Sequence, residues 1–192
     1  TNGTELSTEW SKSIINECNK IKRDISAQDI NSRKDLRNLN FVTIDGGNAK
    51  DFDDAVYAEE SSDGFLLYVA IADVSEYVLQ ESSLDKEALS RATSVYFEKK
   101  VIPMLPELIS NKRCTLMPNE DKLVLTCEIY LDREGEIKSF EFFNSVICSK
   151  NRLTYDEVEK FYQKGQTALS DDILSYLSTL KKIHGLTGLR MF

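Results

Sequence analysis

Apolar positions alternate with polar ones in two rhythms along this chain. Near the start, Trp10, Ile14, Cys18, Ile21 and Ile25 recur at helical spacing, so residues 7–25 are predicted as an amphipathic helix. Residues 26–39 are polar and read as a linking stretch. Phe41-Val42-Thr43-Ile44 then reads as a strand running into Asp45, and Gly46-Gly47-Asn48 permits a tight turn. Ala55–Ala58 and Phe65–Ala72 read as paired strands joined by Ser61-Ser62-Asp63-Gly64. A short helix is predicted around Leu84–Arg91. Pro103 and Pro106 punctuate the segment after Tyr96, and Pro106 suits the first position of a short helix, where its missing N–H costs nothing. Leu123–Leu131 and Ile137–Cys148 form a long predicted hairpin around Asp132-Arg133-Glu134-Gly135. Thr154 and Glu157 make a capping box for a helix ending at Gly165. A last helix is predicted from Ser170 to about His184, with Gly185 as its stop. This order of elements predicts an α+β fold with a mixed or mainly antiparallel sheet flanked by helices.

Composition narrows the class. The chain has 192 residues, 41% hydrophobic and 29% charged, which fits a globular protein and excludes a disordered one. No apolar run approaches the ~20 residues of a membrane span, so no membrane partner is expected. The start, Thr1-Asn2-Gly3-Thr4-Glu5, lacks the basic end and apolar stretch of a secretory signal. The first residue is not Met, and an excised or processed piece is expected. Cys18, Cys114, Cys127 and Cys148 are widely spaced, without zinc-type pairs, and read as reduced thiols of a cytoplasmic protein. His184 is the only histidine, which argues against histidine-based acid–base catalysis and histidine-ligated metal. The net charge is −8. That balance opposes nucleic acid binding, so an RNA partner requires positive charge from elsewhere.

The segment from Thr43 to Ala55 carries the chemistry. Asp45, Asp51, Asp53 and Asp54 fall within ten residues between two apolar strands. A bend through the glycines brings all four to one end of the sheet. At ~4 Å and an effective dielectric near 20, each pair of carboxylates costs roughly 4 kcal/mol. Several such pairs rival the roughly 5–15 kcal/mol that holds a domain together. The cluster must therefore be spread out in water or neutralised by cations. Carboxylate-only ligation suits magnesium, manganese or calcium rather than zinc, and the spacing is not that of a calcium loop. Paired magnesium ions match phosphodiester hydrolysis and need no histidine. The plainer alternative is a polar loop with turn and cap aspartates.

Further segments stand in order along the chain: Asp35-Leu36-Arg37, Lys50-Asp51-Phe52-Asp53-Asp54-Ala55, Val69-Ala70-Ile71-Ala72-Asp73-Val74-Ser75 and Ser94-Val95-Tyr96. Then come Pro103-Met104-Leu105-Pro106-Glu107, Leu108-Ile109-Ser110-Asn111 and Arg152-Leu153-Thr154-Tyr155. In this order and spacing they resemble the catalytic (RNB) domain of the ribonuclease II and R family, nearest to its bacterial ribonuclease R members. The resemblance covers nearly the whole chain. It implies a processive 3′-to-5′ exoribonuclease that releases nucleoside 5′-monophosphates from single-stranded RNA, with no DNA substrate expected. It implies that Asp45, Asp51 and Asp54 bind magnesium, with manganese as the alternative ion. Asp53 falls on the aspartate needed for cleavage more than for binding. Tyr96 falls on the tyrosine that packs against the base beside the cut; its alternation with Val95 and Phe97 reads equally as a core aromatic. Asp73 reads either as a support of the metal site or as a cap of the next turn. Lys112 and Arg113 read as solvated, and His184 as a surface residue near a helix C-terminus.

The chain departs from the family in two places. Arg91-Ala92-Thr93 stands where glycine is usual in the middle, and Lys112-Arg113-Cys114-Thr115 replaces the usual Gly-Leu-Cys-Ser. The organisation expected is a helix and linking segment at 1–39, then the N-terminal portion of an incomplete catalytic domain at 40–192. Such a fragment is expected to be weakly active or inactive alone, and to self-associate through exposed surface. Two other readings stand beside the exoribonuclease. One is a non-catalytic metal- or protein-binding module of the same fold. The other is a different two-metal phosphodiesterase or phosphatase.

Overall fold

The computed structural model describes residues 9–21, 25–97, 100–164 and 171–187. The helices described are α1 (Lys12–Lys20), α2 (Ala27–Asn31), α3 (Ser83–Arg91), α4 (Tyr155–Lys164) and α5 (Asp171–Thr187). The strands are β1 (Lys34–Asp35), β2 (Val42–Asp45), β3 (Asp54–Glu60), β4 (Gly64–Ala72), β5 (Val95–Phe97), β6 (Lys100–Ile102), β7 (Asp121–Asp132), β8 (Ile137–Cys148) and β9 (Asn151–Thr154). Contacts divide the chain into two compact units, Thr1–Asp24 with Asp73–Thr115, and Ile25–Ala72 with Leu116–Phe192.

The larger unit is built on a seven-stranded sheet in the order β1-β8-β7-β4-β3-β2-β9. Its interior pairs are antiparallel, as predicted for β3 with β4 and for β7 with β8. Each edge strand is parallel to its neighbour, β1 to β8 and β9 to β2. α4 and α5 pack on part of one face. Val158, Phe161, Leu177 and Leu180 meet Val42, Val56, Phe65 and Leu153 of the sheet in one buried cluster. Burying each such side chain contributes roughly 1.5–3 kcal/mol, so this cluster fixes the sheet that carries the aspartates. Thr154 and Glu157 cap α4 reciprocally: Glu157 Oε2 accepts the Thr154 N–H at 2.7 Å, and Thr154 Oγ1 accepts the Glu157 N–H at 3.3 Å. Gly64 sits where β4 meets β7, and a Cβ there would stand 1.9 Å from the Leu131 carbonyl oxygen. Its role is close approach as well as turning.

In the smaller unit, α1 packs on α3. Glu17 accepts the N–H groups of Ser83 at 3.0 Å and Leu84 at 3.3 Å, and so satisfies the start of α3 alongside Ser82. The Arg91 guanidinium lies 3.9 Å over the Trp10 ring. Pro106 precedes a short helical turn, and its carbonyl accepts the N–H groups of Ile109 and Ser110. A wider, π-type turn continues over Ile109–Cys114.

Three details differ from the pattern-based expectation. The stretch read as linking, 26–39, contains α2 and β1. Ser26 and Asp29 form a capping box there, and β1 joins the sheet through residues 145–146, a partner too distant for local pattern to reveal. The described first helix ends at Lys20, with Ile21 already extended. The last helix passes through Gly185 to Thr187. Glycine permits a helix stop without compelling one, and packing of Leu180 and Ile183 carries the helix on. The predicted stop at Gly165 lies outside the described residues. All four cysteines are free. Among the described residues no helix is long and apolar enough to cross a membrane.

Candidate functional site

β2 is held between β3 and β9 and delivers Asp45 at its end, opposite Thr154 of β9. The chain turns through Gly46, whose carbonyl accepts the Ala49 N–H at 3.0 Å. It re-enters the sheet at Asp54, opposite Ile71 of β4. Between these points one apolar residue anchors the loop. Phe52 is buried at 4% exposure, and its carbonyl accepts the Leu116 N–H at 2.8 Å. Burying Phe52 turns its two neighbours, Asp51 and Asp53, outward. The Asp53 carbonyl accepts the Ala72 N–H at 2.9 Å and ties the loop to β4.

The four carboxylates form one electrostatic cluster. Desolvation, and then the charge of Asp54, pushes Asp45 up to about 6, while Thr43 and Arg152 act in the opposite sense. Desolvation raises Asp53, with Asp51 and Asp54 adding to it. Desolvation also raises Asp54. Asp53 and Asp54 keep exposed surfaces, and Asp45 is half-buried. Asp45 Oδ2 is buried and accepts no hydrogen bond. A buried carboxylate oxygen without a donor is costly, and a hard divalent cation would satisfy it. The residues therefore fit such an ion in donor type. Their side chains do not converge on one point: among the described residues no group of three acidic, histidine or cysteine side chains is arranged to hold a metal.

Sequence reasoning gave no role to two side chains at this site. Arg152, on β9, donates from Nη2 to the carbonyls of Gly46 at 3.0 Å and Gly47 at 2.9 Å. Its guanidinium also lies 4.9 Å from the centre of the Phe52 ring. Phe52 was visible in principle, as the lone apolar residue among the aspartates. Arg152 was not, because its parallel pairing with β2 spans more than a hundred residues.

The smaller unit holds the other candidates. Tyr96 is 68% exposed on the two-stranded β5–β6 ladder, so its ring is no part of a core. Asp73 precedes a short 3-10 turn and accepts the Ser75 hydroxyl at 2.6 Å. Lys112 and Arg113 lie in the π-type turn. In the larger unit, His184 is half-buried in the last turn of α5.

The profile of the RNB domain matches residues 33–187. The chain belongs to the RNB-domain family. Among RNB proteins, it is 43% identical over 181 residues to ribonuclease R of Acidithiobacillus ferrooxidans, covering 94% of this chain and 41% of that protein. The solved RNase R of Mycoplasma genitalium in complex with double-stranded RNA superposes with a TM-score of 0.87 at 37% identity, over 93% of this chain and 32% of that one. Yeast Ssd1, described as a pseudonuclease, shares the RNB fold at a TM-score of 0.71 and 22% identity, over 84% of this chain and 20% of that one. The chain thus spans about two fifths or less of the length of these relatives.

Proposed function

We propose that this chain is the N-terminal portion of the catalytic domain of a magnesium-dependent exoribonuclease. The enzyme works in the cytoplasm and hydrolyses single-stranded RNA from its 3′ end to nucleoside 5′-monophosphates. The observation that carries this reading is the cluster of Asp45, Asp51, Asp53 and Asp54 at one end of the sheet, with the buried Asp45 oxygen unsatisfied. Asp45, Asp51 and Asp54 would hold the metal. Magnesium, when bound, supplies an activated water and stabilises the leaving oxygen. Asp53, crowded by its acidic neighbours, would be the aspartate needed for cleavage more than for binding. The exposed Tyr96 ring offers a face to any base, since stacking contributes about 1–3 kcal/mol without regard to sequence. With a net charge of −8 on the chain, neutralisation of the aspartates by cations is a condition for a phosphate to approach. Two solved RNA complexes of Mycoplasma genitalium RNase R, one double-stranded and one single-stranded, support the choice of RNA.

A non-catalytic module is the second reading, favoured by the fold likeness to Ssd1. Four retained carboxylates that repel one another speak against it, since a site without a cation has no use for them.

The test incubates the chain with 5′-labelled single-stranded RNA and magnesium, and titrates it with Mn2+ in a calorimeter. Mn2+ binding that disappears in Asp45→Asn is the expected result, alongside at most weak shortening from the 3′ end that disappears in Asp53→Asn. Cutting that ignores Asp53→Asn overturns the assignment of the site. Absence of both cutting and metal binding favours the non-catalytic module.

A further inference from the structure

We propose that Arg152 is a positioning residue that latches the two ends of the aspartate loop together, an inference that rests on the metal-site reading above. The loop leaves β2 after Asp45 and returns at Asp54, and nothing in its local sequence sets the distance between those ends. Arg152 reaches both. Its Nη2 donates to Gly46 and Gly47, directly after Asp45. Its guanidinium lies over the ring of Phe52, the residue between Asp51 and Asp53. The Gly46 carbonyl also closes the turn to Ala49, so the guanidinium grips the turn itself. Arg152 stands on β9 in register with Thr43, on the strand beside the one that carries Asp45. The latch is therefore mounted on the sheet rather than on the loop it holds.

Two features separate this role from ordinary packing. Arg152 Nε is buried and has no hydrogen-bond partner, a cost that a residue kept for stability alone would avoid. The arrangement also suits a guanidinium better than a lysine ammonium, since its broad cation lies over the Phe52 ring while Nη2 donates to two carbonyls. The charge of Arg152 acts on Asp45, and this gives the proposal a distinguishing sign. A positive charge beside a cation site repels the cation. If Arg152 acted through charge alone, removing it would tighten metal binding. If it acts by holding the aspartates in place, removing it weakens binding despite the lost repulsion.

The experiment titrates Mn2+ into the wild-type chain, Arg152→Met and Arg152→Lys, and measures amide hydrogen exchange in each without metal. Both variants are expected to bind Mn2+ about tenfold more weakly, the usual effect of losing a group that orients ligands. Amides of residues 46–53 are expected to exchange faster in both, while those of β2 and β9 keep their protection. Tighter binding in Arg152→Met with unchanged binding in Arg152→Lys would reduce the role to charge and overturn the latch. Loss of protection throughout β2 and β9 would reduce it to strand stability, with the same consequence. If the wild-type chain binds no Mn2+, the metal-site reading fails by itself and exchange in the loop still decides: faster exchange confined to 46–53 upholds the latch, and unchanged exchange overturns it.

Discussion

Asp45 bears a cost that the fold carries until a cation or a proton relieves it. Its carboxyl is raised to about 6 by desolvation and by Asp54, whereas an unfolded chain titrates aspartate near ~3.9. The folded state therefore binds more protons than the unfolded state between those two values. Without metal, stability from this group is least above pH 6 and grows as pH falls through 6 towards 4. Asp53 and Asp54 shift in the same direction. The opposing case is Asp35, which hydrogen bonds from Arg37 hold down to about 2; its contribution is lost only as pH falls from about 4 to 2, outside that window. With EDTA present, the melting temperature is expected to rise between pH 7 and pH 5. Discounting for solvent screening to about 1 kcal/mol, the gain is roughly 2–4 °C. Asp45→Asn should melt higher than wild type at pH 7 and show a smaller gain. A melting temperature that falls over this interval in wild type contradicts the assignment. The raised carboxyls were foreseeable from four aspartates in ten residues, but which one is buried was not. That depends on β9 covering the edge of β2.

Ala92 shows what an element does when its terminating residue is unsuitable. It ends α3 with φ 64° and ψ −34°, and Thr93 N–H donates back to the Arg91 carbonyl at 2.8 Å. This is the strained form of the three-residue turn, rare for a residue with a Cβ. Glycine would adopt this conformation without strain. Ala92→Gly is expected to raise stability by about 1 kcal/mol, read as a shift in the denaturant midpoint with unchanged slope; a fall would mean that the alanine methyl packs better than its backbone suffers. Elements with strong local signals were legible in the chain. Thr154 and Glu157 announced α4, and the alternation in β3 and β4 announced their pairing. Gly185 misled because the apolar face of α5, through Leu180 and Ile183, outweighs one residue with a low helix preference. The elements α2 and β1 were missed because they are only five and two residues long.

At the scale of the whole chain, the α+β class and the mixed sheet were readable from the order of elements. The sheet order was not, since both parallel edges join segments far apart in sequence. The helices cover only part of one sheet face. On the same side, Ile71 and Leu125 stand opposite each other, and Phe140 and Phe142 stack edge to face on β8 at 64% and 60% exposure. An apolar area of this kind favours association. In sedimentation, the chain is expected to form dimers or larger species with rising concentration, and Phe140→Ser combined with Phe142→Ser should return it to a monomer. A wild-type monomer at every concentration would contradict this. The parallel docking of β9 on β2 also has a consequence in time. About a hundred residues separate Asp54 from Thr154, on the order of 5–20 s of synthesis at ~5–20 residues per second. Throughout that interval the nascent chain carries Asp45 at the end of a strand with one open edge, and its aspartate loop lacks Arg152. A nuclease of the kind proposed would thus emerge from the ribosome with its cutting centre unassembled, idle beside the very message that encodes it.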